Sequence, residues 1–237
     1  MSEQDLSELI ELSHAIGRHP SRMVLWDEGA CAMKSGDRLT VSRRGAYLTS
    51  LTAGDMVELD ATKTTGFMAL EAMTDDLMEE AQTGAGTLKP SLDAILFAYL
   101  LSLDDNKFAV HVQPVEINQI IGSPRARQFA ERRTIAHEVI SRGVSSALVS
   151  YADPGLLLAK EVKRKLALWR DRYKMVPKLI LIQNHGMIVL GNSHGEILRT
   201  IEMTMKSAQI FIGAAVMGGP AFLTPDNVLH LEAFEKL

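Results

Sequence analysis

Lys178-Leu-Ile-Leu-Ile-Gln183, Asn184-His185-Gly186 and Met187-Ile-Val-Leu190 form the stretch whose reading decides the fold. Two short apolar runs flank a tripeptide of turn-forming residues, the pattern of a β-hairpin with a histidine at its tip. Working outward, 108–111 reads as a short buried strand and 147–149 as another. Between residues 23 and 60, short apolar runs at 23–26, 38–42, 46–48 and 56–59 are separated by Gly29, Gly36, Gly45 and Gly54, which predicts an antiparallel sheet. Helical spacing of Leu6, Ile10, Leu12 and Ile16 ends at His19-Pro20, so the chain is expected to open with an amphipathic helix. Further helices are expected over 67–82, over the apolar stretch 92–103, after Pro114, from Pro154 to Tyr173, and finally over the methionine-rich 194–217. The helix after Pro154 carries Lys160, Lys163, Arg164 and Lys165, which read as a solvated face.

No proline- or serine-rich linker, low-complexity run or repeat interrupts the 237 residues. The economical architecture is therefore one α/β domain over 1–237, with helices covering a largely antiparallel sheet. Twenty-nine acidic against 25 basic residues give a net charge of -4, which argues against a general polyanion binder and so against nucleic acid as partner. Cys31 is the only cysteine; this excludes intramolecular disulfides and cysteine-rich metal sites, fits a reducing cytoplasm, and leaves a small, buried, inert thiol as its expected role. The opening MSEQDLSELIEL lacks the apolar core of a signal peptide, and no apolar run approaches the roughly 18 residues of a membrane span.

Two of the seven histidines, His111 and His185, stand where a strand meets a turn. Such positions hold a side chain rigidly with one side open, and imidazole is the commonest metal ligand that is neutral near physiological pH. In His111-Val112-Gln113, alternation along an extended strand puts His111 and Gln113 on one face. Asp93 has two readings, a capping acid in the first turn of its helix or a proton-transferring acid.

The order of the pieces carries a resemblance. Lys89-Pro90-Ser91-Leu92-Asp93, then a strand ending His111-Val112-Gln113-Pro114, then Tyr151-Ala-Asp-Pro-Gly155, then Gln183-Asn184-His185-Gly186 through Gly191, resembles the class II aldolase/adducin family over nearly the whole chain. It is most similar to the aldolase domain of rhamnulose-phosphate aldolase/dehydrogenase-like proteins. The resemblance implies a three-layer α/β/α fold and a zinc-dependent lyase of carbohydrate metabolism. Such an enzyme cleaves a carbon-carbon bond of a small hydroxy-carbonyl compound through an enediolate, and is a homo-oligomer, often a tetramer. It gives Asp93 the acid/base position, makes His111, Gln113 and His185 the metal positions, and places Gly29, Arg44, Gly45 and Ser91 at substrate positions.

Several positions depart from the family pattern. Gln113 stands where the family has a histidine ligand, and an amide oxygen is a poorer donor to zinc than imidazole. Asp93 is one methylene shorter than the family's glutamate. The Gly-Asn-x-Ser turn that helps bind phosphate appears as Gly29-Ala30-Cys31-Ala32, the Ser-Gly pair as Arg44-Gly45, and the second serine of Pro-Ser-Ser as Leu92. A substrate other than a standard sugar phosphate is expected, with Arg43 or Arg44 as charge-assisted replacements. The competing expectation is a non-catalytic adducin-like binding and assembly module with a degenerate metal site.

Overall fold

The computed structural model describes residues 3–84 and 86–235. Its strands are β1 (Ala30–Ser35), β2 (Arg38–Ser42), β3 (Met56–Asp60), β4 (Phe108–Val112), β5 (Ala147–Val149), β6 (Leu179–Ile182) and β7 (Gly186–Gly191). Its helices are α1 (Glu3–Gly17), α2 (Ala61–Gly66), α3 (Asp75–Glu79), α4 (Ala94–Leu100), α5 (Val115–Ile121), α6 (Ala126–Glu131), α7 (Ala136–Arg142), α8 (Leu156–Tyr173), α9 (His194–Val216) and α10 (Pro225–Glu235). The strands form one sheet in the order β3-β2-β1-β4-β7-β6-β5. Every neighbouring pair is antiparallel except β5 with β6.

Two cores sandwich this sheet, and the strand residues alternate between them. Ala109, Ile180, Ile182, Ile188 and Leu190 face the core completed by α4 and α8. Phe108, Val110, Leu181, Met187 and Val189 face the core completed by α1, α5 and α9. Both faces being covered explains why the central strands read as unbroken apolar runs: every position loses contact with water, at about 1.5–3 kcal/mol for each large aliphatic side chain. The result is the three-layer α/β/α arrangement with a mostly antiparallel sheet.

Local differences from the sequence expectations have local causes. The 23–26 segment is no strand, because Arg22 and Trp26 both take φ of +50° and the chain turns there. The first strand is instead Ala30–Ser35, whose small residues and cysteine carry little strand signal. Residues 46–48 lead into a 3-10 turn, Leu48–Ser50. The apolar 92–103 stretch is helical only over α4, and 67–82 divides into a 3-10 turn, Phe67–Ala69, and the five-residue α3. Helix α9 is not the last, since α10 follows it and packs on α7.

No helix among the described residues is long and apolar enough to cross a membrane.

Candidate functional site

His111 lies on β4 at the centre of the sheet, paired with Ala30 of β1 on one side and Ile188 of β7 on the other. Its side chain shares the face of Ala109, toward α4. Asp93 sits at the N-terminal boundary of α4, yet its side chain makes no capping bond to the helix. The carboxylate Oδ2 lies 2.8 Å from Nδ1 of His111, with Asp93 7% and His111 3% exposed. The Asp93 side chain therefore does not cap α4 but is a buried partner for one imidazole nitrogen.

His185 comes from the tip of the β6–β7 hairpin. Asn184 takes φ of +54°, a conformation asparagine tolerates better than most residues, and His185 N–H donates to Ile182 O at 3.2 Å to close the turn. This brings the His185 ring to 4.8 Å from that of His111, centroid to centroid, with planes inclined by 22°. Gly186 makes the approach possible: a Cβ there would stand 2.8 Å from His111 Nε2, 2.8 Å from Val112 O and 2.9 Å from Gln113 Cγ. Nε2 of His111 and Nε2 of His185 are both buried and lack a hydrogen-bond partner. Unpaired polar atoms of this kind are costly, so two of them side by side point to a ligand.

Charge reinforces the arrangement. Burial, the largest influence on Asp93, pushes its pKa up, but the charge and hydrogen bond of His111 and the charge of His185 outweigh it and hold the carboxyl below its ordinary value. Burial, then the charge of His111, pull His185 below the ordinary imidazole value, against the opposing charge of Asp93. His185 is thus neutral near pH 7, with a nitrogen lone pair to offer. When His111 is neutral, donation from Nδ1–H to the Asp93 carboxylate leaves Nε2 as the acceptor, the usual means by which a carboxylate orients an imidazole ligand.

Gln113 also borders this cluster. Its amide nitrogen donates to Glu28 O at 3.2 Å, and its backbone N–H donates to Met23 O at 3.0 Å, so the loop before β1 fixes it and leaves Oε1 as the oxygen it presents. Among the described residues no three His, Cys, Asp or Glu side chains are grouped to hold a metal ion. The groups of this cluster without a hydrogen-bond partner are the two imidazole Nε2 atoms.

The expected substrate positions have contacts of their own. Arg44 is paired with Asp75 at 2.8 Å, and Lys89 reaches the same carboxylate at 2.7 Å. Arg43 is paired with Asp55 at 2.7 Å. Ser91 Oγ accepts from Asp93 N–H at 3.2 Å. Arg44 and Ser91 line a cavity of about 340 Å³ whose walls also include Met73, Met78, Leu92 and Ile95. Gly29 is required by packing, because a Cβ there would meet Leu48 and Val24 side chains at 2.7 Å. Gly45 occupies a turn at φ of +70°. Cys31 is buried with Sγ 3.0 Å from Ser13 Oγ, and burial pushes its thiol pKa up to about 11. Asp75 and the backbone oxygen of Glu28 were not foreseen from sequence, since both act through partners distant in the chain.

A family model described as the class II aldolase and adducin N-terminal domain matches residues 8–212. The chain belongs to the class II aldolase and adducin family. Solved structures share this family fold. An L-fuculose 1-phosphate aldolase superimposes with a TM-score of 0.74 at 15% identity, over 100% of this chain and 98% of that one. YgbL of Klebsiella pneumoniae, provisionally described as an aldolase/epimerase/decarboxylase, gives 0.71 at 18% identity, over 98% and 99%. The N-terminal class II aldolase domain of a conserved Thermoplasma acidophilum protein gives 0.69 at 20% identity, over 90% and 95%. A comparison with curated proteins gives no match. At these identities the class II aldolase likeness speaks for the fold, and the chemistry must be argued from Asp93, His111, Gln113 and His185.

Proposed function

We propose that this class II aldolase family member is a lyase. It would cleave or form a carbon-carbon bond next to the carbonyl of a small hydroxy-carbonyl compound, through an enediolate, on a divalent cation such as zinc held by His111 and His185. The observation that carries the reading is the pair of buried, unpartnered Nε2 atoms with Asp93 on the far nitrogen of one of them. A bound cation supplies Lewis acidity, polarising the carbonyl and lowering the energy of the enediolate.

The chain's own groups do the rest. Asp93 is a positioning residue: it fixes the Nδ1 tautomer and orientation of His111, so that Nε2 points its lone pair into the site. The depressed pKa of His185 keeps it neutral and competent to bind. Gln113 contributes through Oε1, held by the Glu28 carbonyl. Ala109 and Ile188, on the same face of the sheet as His111, are buried, so water is kept from that side of the cluster. The pairing of Arg43, Arg44 and Lys89 with carboxylates supports a substrate without a phosphate. Residues 1–237 act as one class II aldolase-like domain in this reading, supported by the single continuous sheet. The protein works as a cytoplasmic homo-oligomer, a tetramer in the family pattern, in carbohydrate metabolism, with a small-molecule carbonyl substrate as its partner.

Engagement of the Gln113 amide by Glu28 O favours the second reading, a non-catalytic adducin-like binding and assembly module. Elemental analysis of untagged, chelator-free protein separates the two. About one divalent ion per chain, lost in both His111→Ala and His185→Ala, supports the lyase and justifies an isotope-exchange screen on non-phosphorylated hydroxy-carbonyl compounds. No uptake of zinc, manganese or cobalt sinks it in favour of the binding module.

A further inference from the structure

A second cavity, of about 320 Å³, lies on the outer side of the β5 edge strand, between that strand, α6 and the C-terminal half of α8. None of Asp93, His111, Gln113 or His185 lines it. Its walls bring together Arg127, Lys165 and Arg172 with Ser145 and Ser146, against a single carboxylate, Glu131. The basic face of α8 thus divides. Lys160 bonds to Leu70 O and Arg164 to Glu161, whereas Lys165 and Arg172 form no salt bridge among the described residues and both point at this cavity. Arg127 meets Glu131 only at 3.7 Å.

The indole nitrogen of Trp169, also on this wall, is buried and has no hydrogen-bond partner. An indole N–H can only donate, as can ammonium and guanidinium groups. The Ser146 hydroxyl accepts from Arg133 at 3.2 Å, which leaves its hydrogen to give. Three cationic side chains, Arg127, Lys165 and Arg172, thus face this space against the one carboxylate of Glu131, together with hydroxyl and amide groups from Ser145, Ser146, Ser150, Tyr173 and Gln183. Trp169 and Tyr173, with ring centroids 4.5 Å apart, add an apolar wall. The excess of cationic groups over carboxylates favours an anion, and the volume suits a small molecule.

We propose that this cavity is a binding site for a small organic anion, its phosphate or carboxylate oxygens held by Lys165 and Arg172 beside Arg127. The chain has two tryptophans, so Trp26→Phe, which lies outside this cavity, leaves Trp169 as the only indole reporter. In that background the full chain is titrated with inorganic pyrophosphate and, separately, citrate at constant ionic strength, and indole emission is followed. A saturable change with either probe is expected, weakened at least about tenfold in Lys165→Ala/Arg172→Ala, which removes two charge-assisted bonds. The same change should persist in His111→Ala, which separates this site from the candidate metal centre. A response to pyrophosphate alone identifies phosphate as the recognised group, and to citrate alone, carboxylate. No saturable change with either probe, or one untouched in a double variant whose circular dichroism matches the parent, overturns the proposal.

Discussion

Replacing Glu138 with alanine tests how the α7 region tolerates buried charge. Glu138 and Arg142 are each 1% exposed and joined at 2.6 Å, and Arg133, also 1% exposed, lies within electrostatic reach. Glu138 accepts from both Thr134 Oγ1 and Thr134 N–H, while Nε and Nη1 of Arg142 have no partner. Arg133 donates to Gly143 O, Ala130 O, Arg132 O and Ser146 Oγ, so the carboxylate is the hydrogen-bonded compensation for the buried Arg142 guanidinium. Removing it should cost about 3–5 kcal/mol, the range for stranding a buried charge. At about 2–4 °C per kcal/mol for a chain of this size, the melting temperature should fall by roughly 6–20 °C. Glu138→Leu/Arg142→Met, which removes both charges while keeping volume, should recover most of the loss. The pH dependence follows from the same contacts. Burial, the largest influence, raises the Glu138 pKa, but Arg142, the Thr134 hydrogen bond and Arg133 outweigh it, leaving the pKa below its ordinary value. A depressed folded pKa means that the stabilisation is complete above the unfolded value of about 4.3 and is lost as pH falls through the folded one. Thermal and urea unfolding from pH 3 to 8 would read this. A single variant costing under about 1 kcal/mol at pH 7, or a double variant as unstable as the single, would refute the reasoning.

Asp93→Asn should preserve the fold but weaken metal binding by about 10–100-fold, measured by competition with a chelator, because the amide no longer fixes the His111 tautomer. Gly186→Ala should destabilise by about 1–3 kcal/mol in denaturant unfolding, since its Cβ would press on Val112 O as well as on His111. Gln113→His should tighten zinc by adding an imidazole where an amide now stands; equal zinc dissociation constants in the two proteins would show that position 113 does not face the ion.

Much of the architecture is readable in the sequence where one physical signal dominates. The 178–190 hairpin appears as β6 and β7, and 38–42 and 108–111 fall on β2 and β4, because apolar runs bounded by turn residues admit few alternatives. Strand β1 is illegible for the opposite reason: Ala30, Cys31 and Ala32 are small residues of little strand propensity, and only the assembled structure shows that they alternate between the two cores. The helices α6 and α7 hide in a segment of mixed polarity, and α7 buries Glu138 and Arg142, which a hydrophobic pattern assigns to the surface. At the site, spacing and resemblance bring His111, Gln113, His185 and Asp93 to attention. Sequence could not say that Asp93 would bond to His111 rather than cap α4, nor that Arg44 would pair with Asp75, 31 positions away. Both outcomes depend on side-chain neighbours contributed by different layers.

The position of β4 bears on how the protein reaches this structure. Strands β1 to β3 form a local meander and β6 with β7 a hairpin, each able to pair over short loops. His111, by contrast, pairs with Ala30, 81 positions before it, and with Ile188, 77 positions after it. Docking β4 closes two long loops at once, the slow and entropically costly kind of step that high contact order brings. Since β4 also carries His111, the paired imidazoles meet only once β4 has docked on the β6–β7 hairpin. A probe sensitive to that pair would time this long-range step of folding.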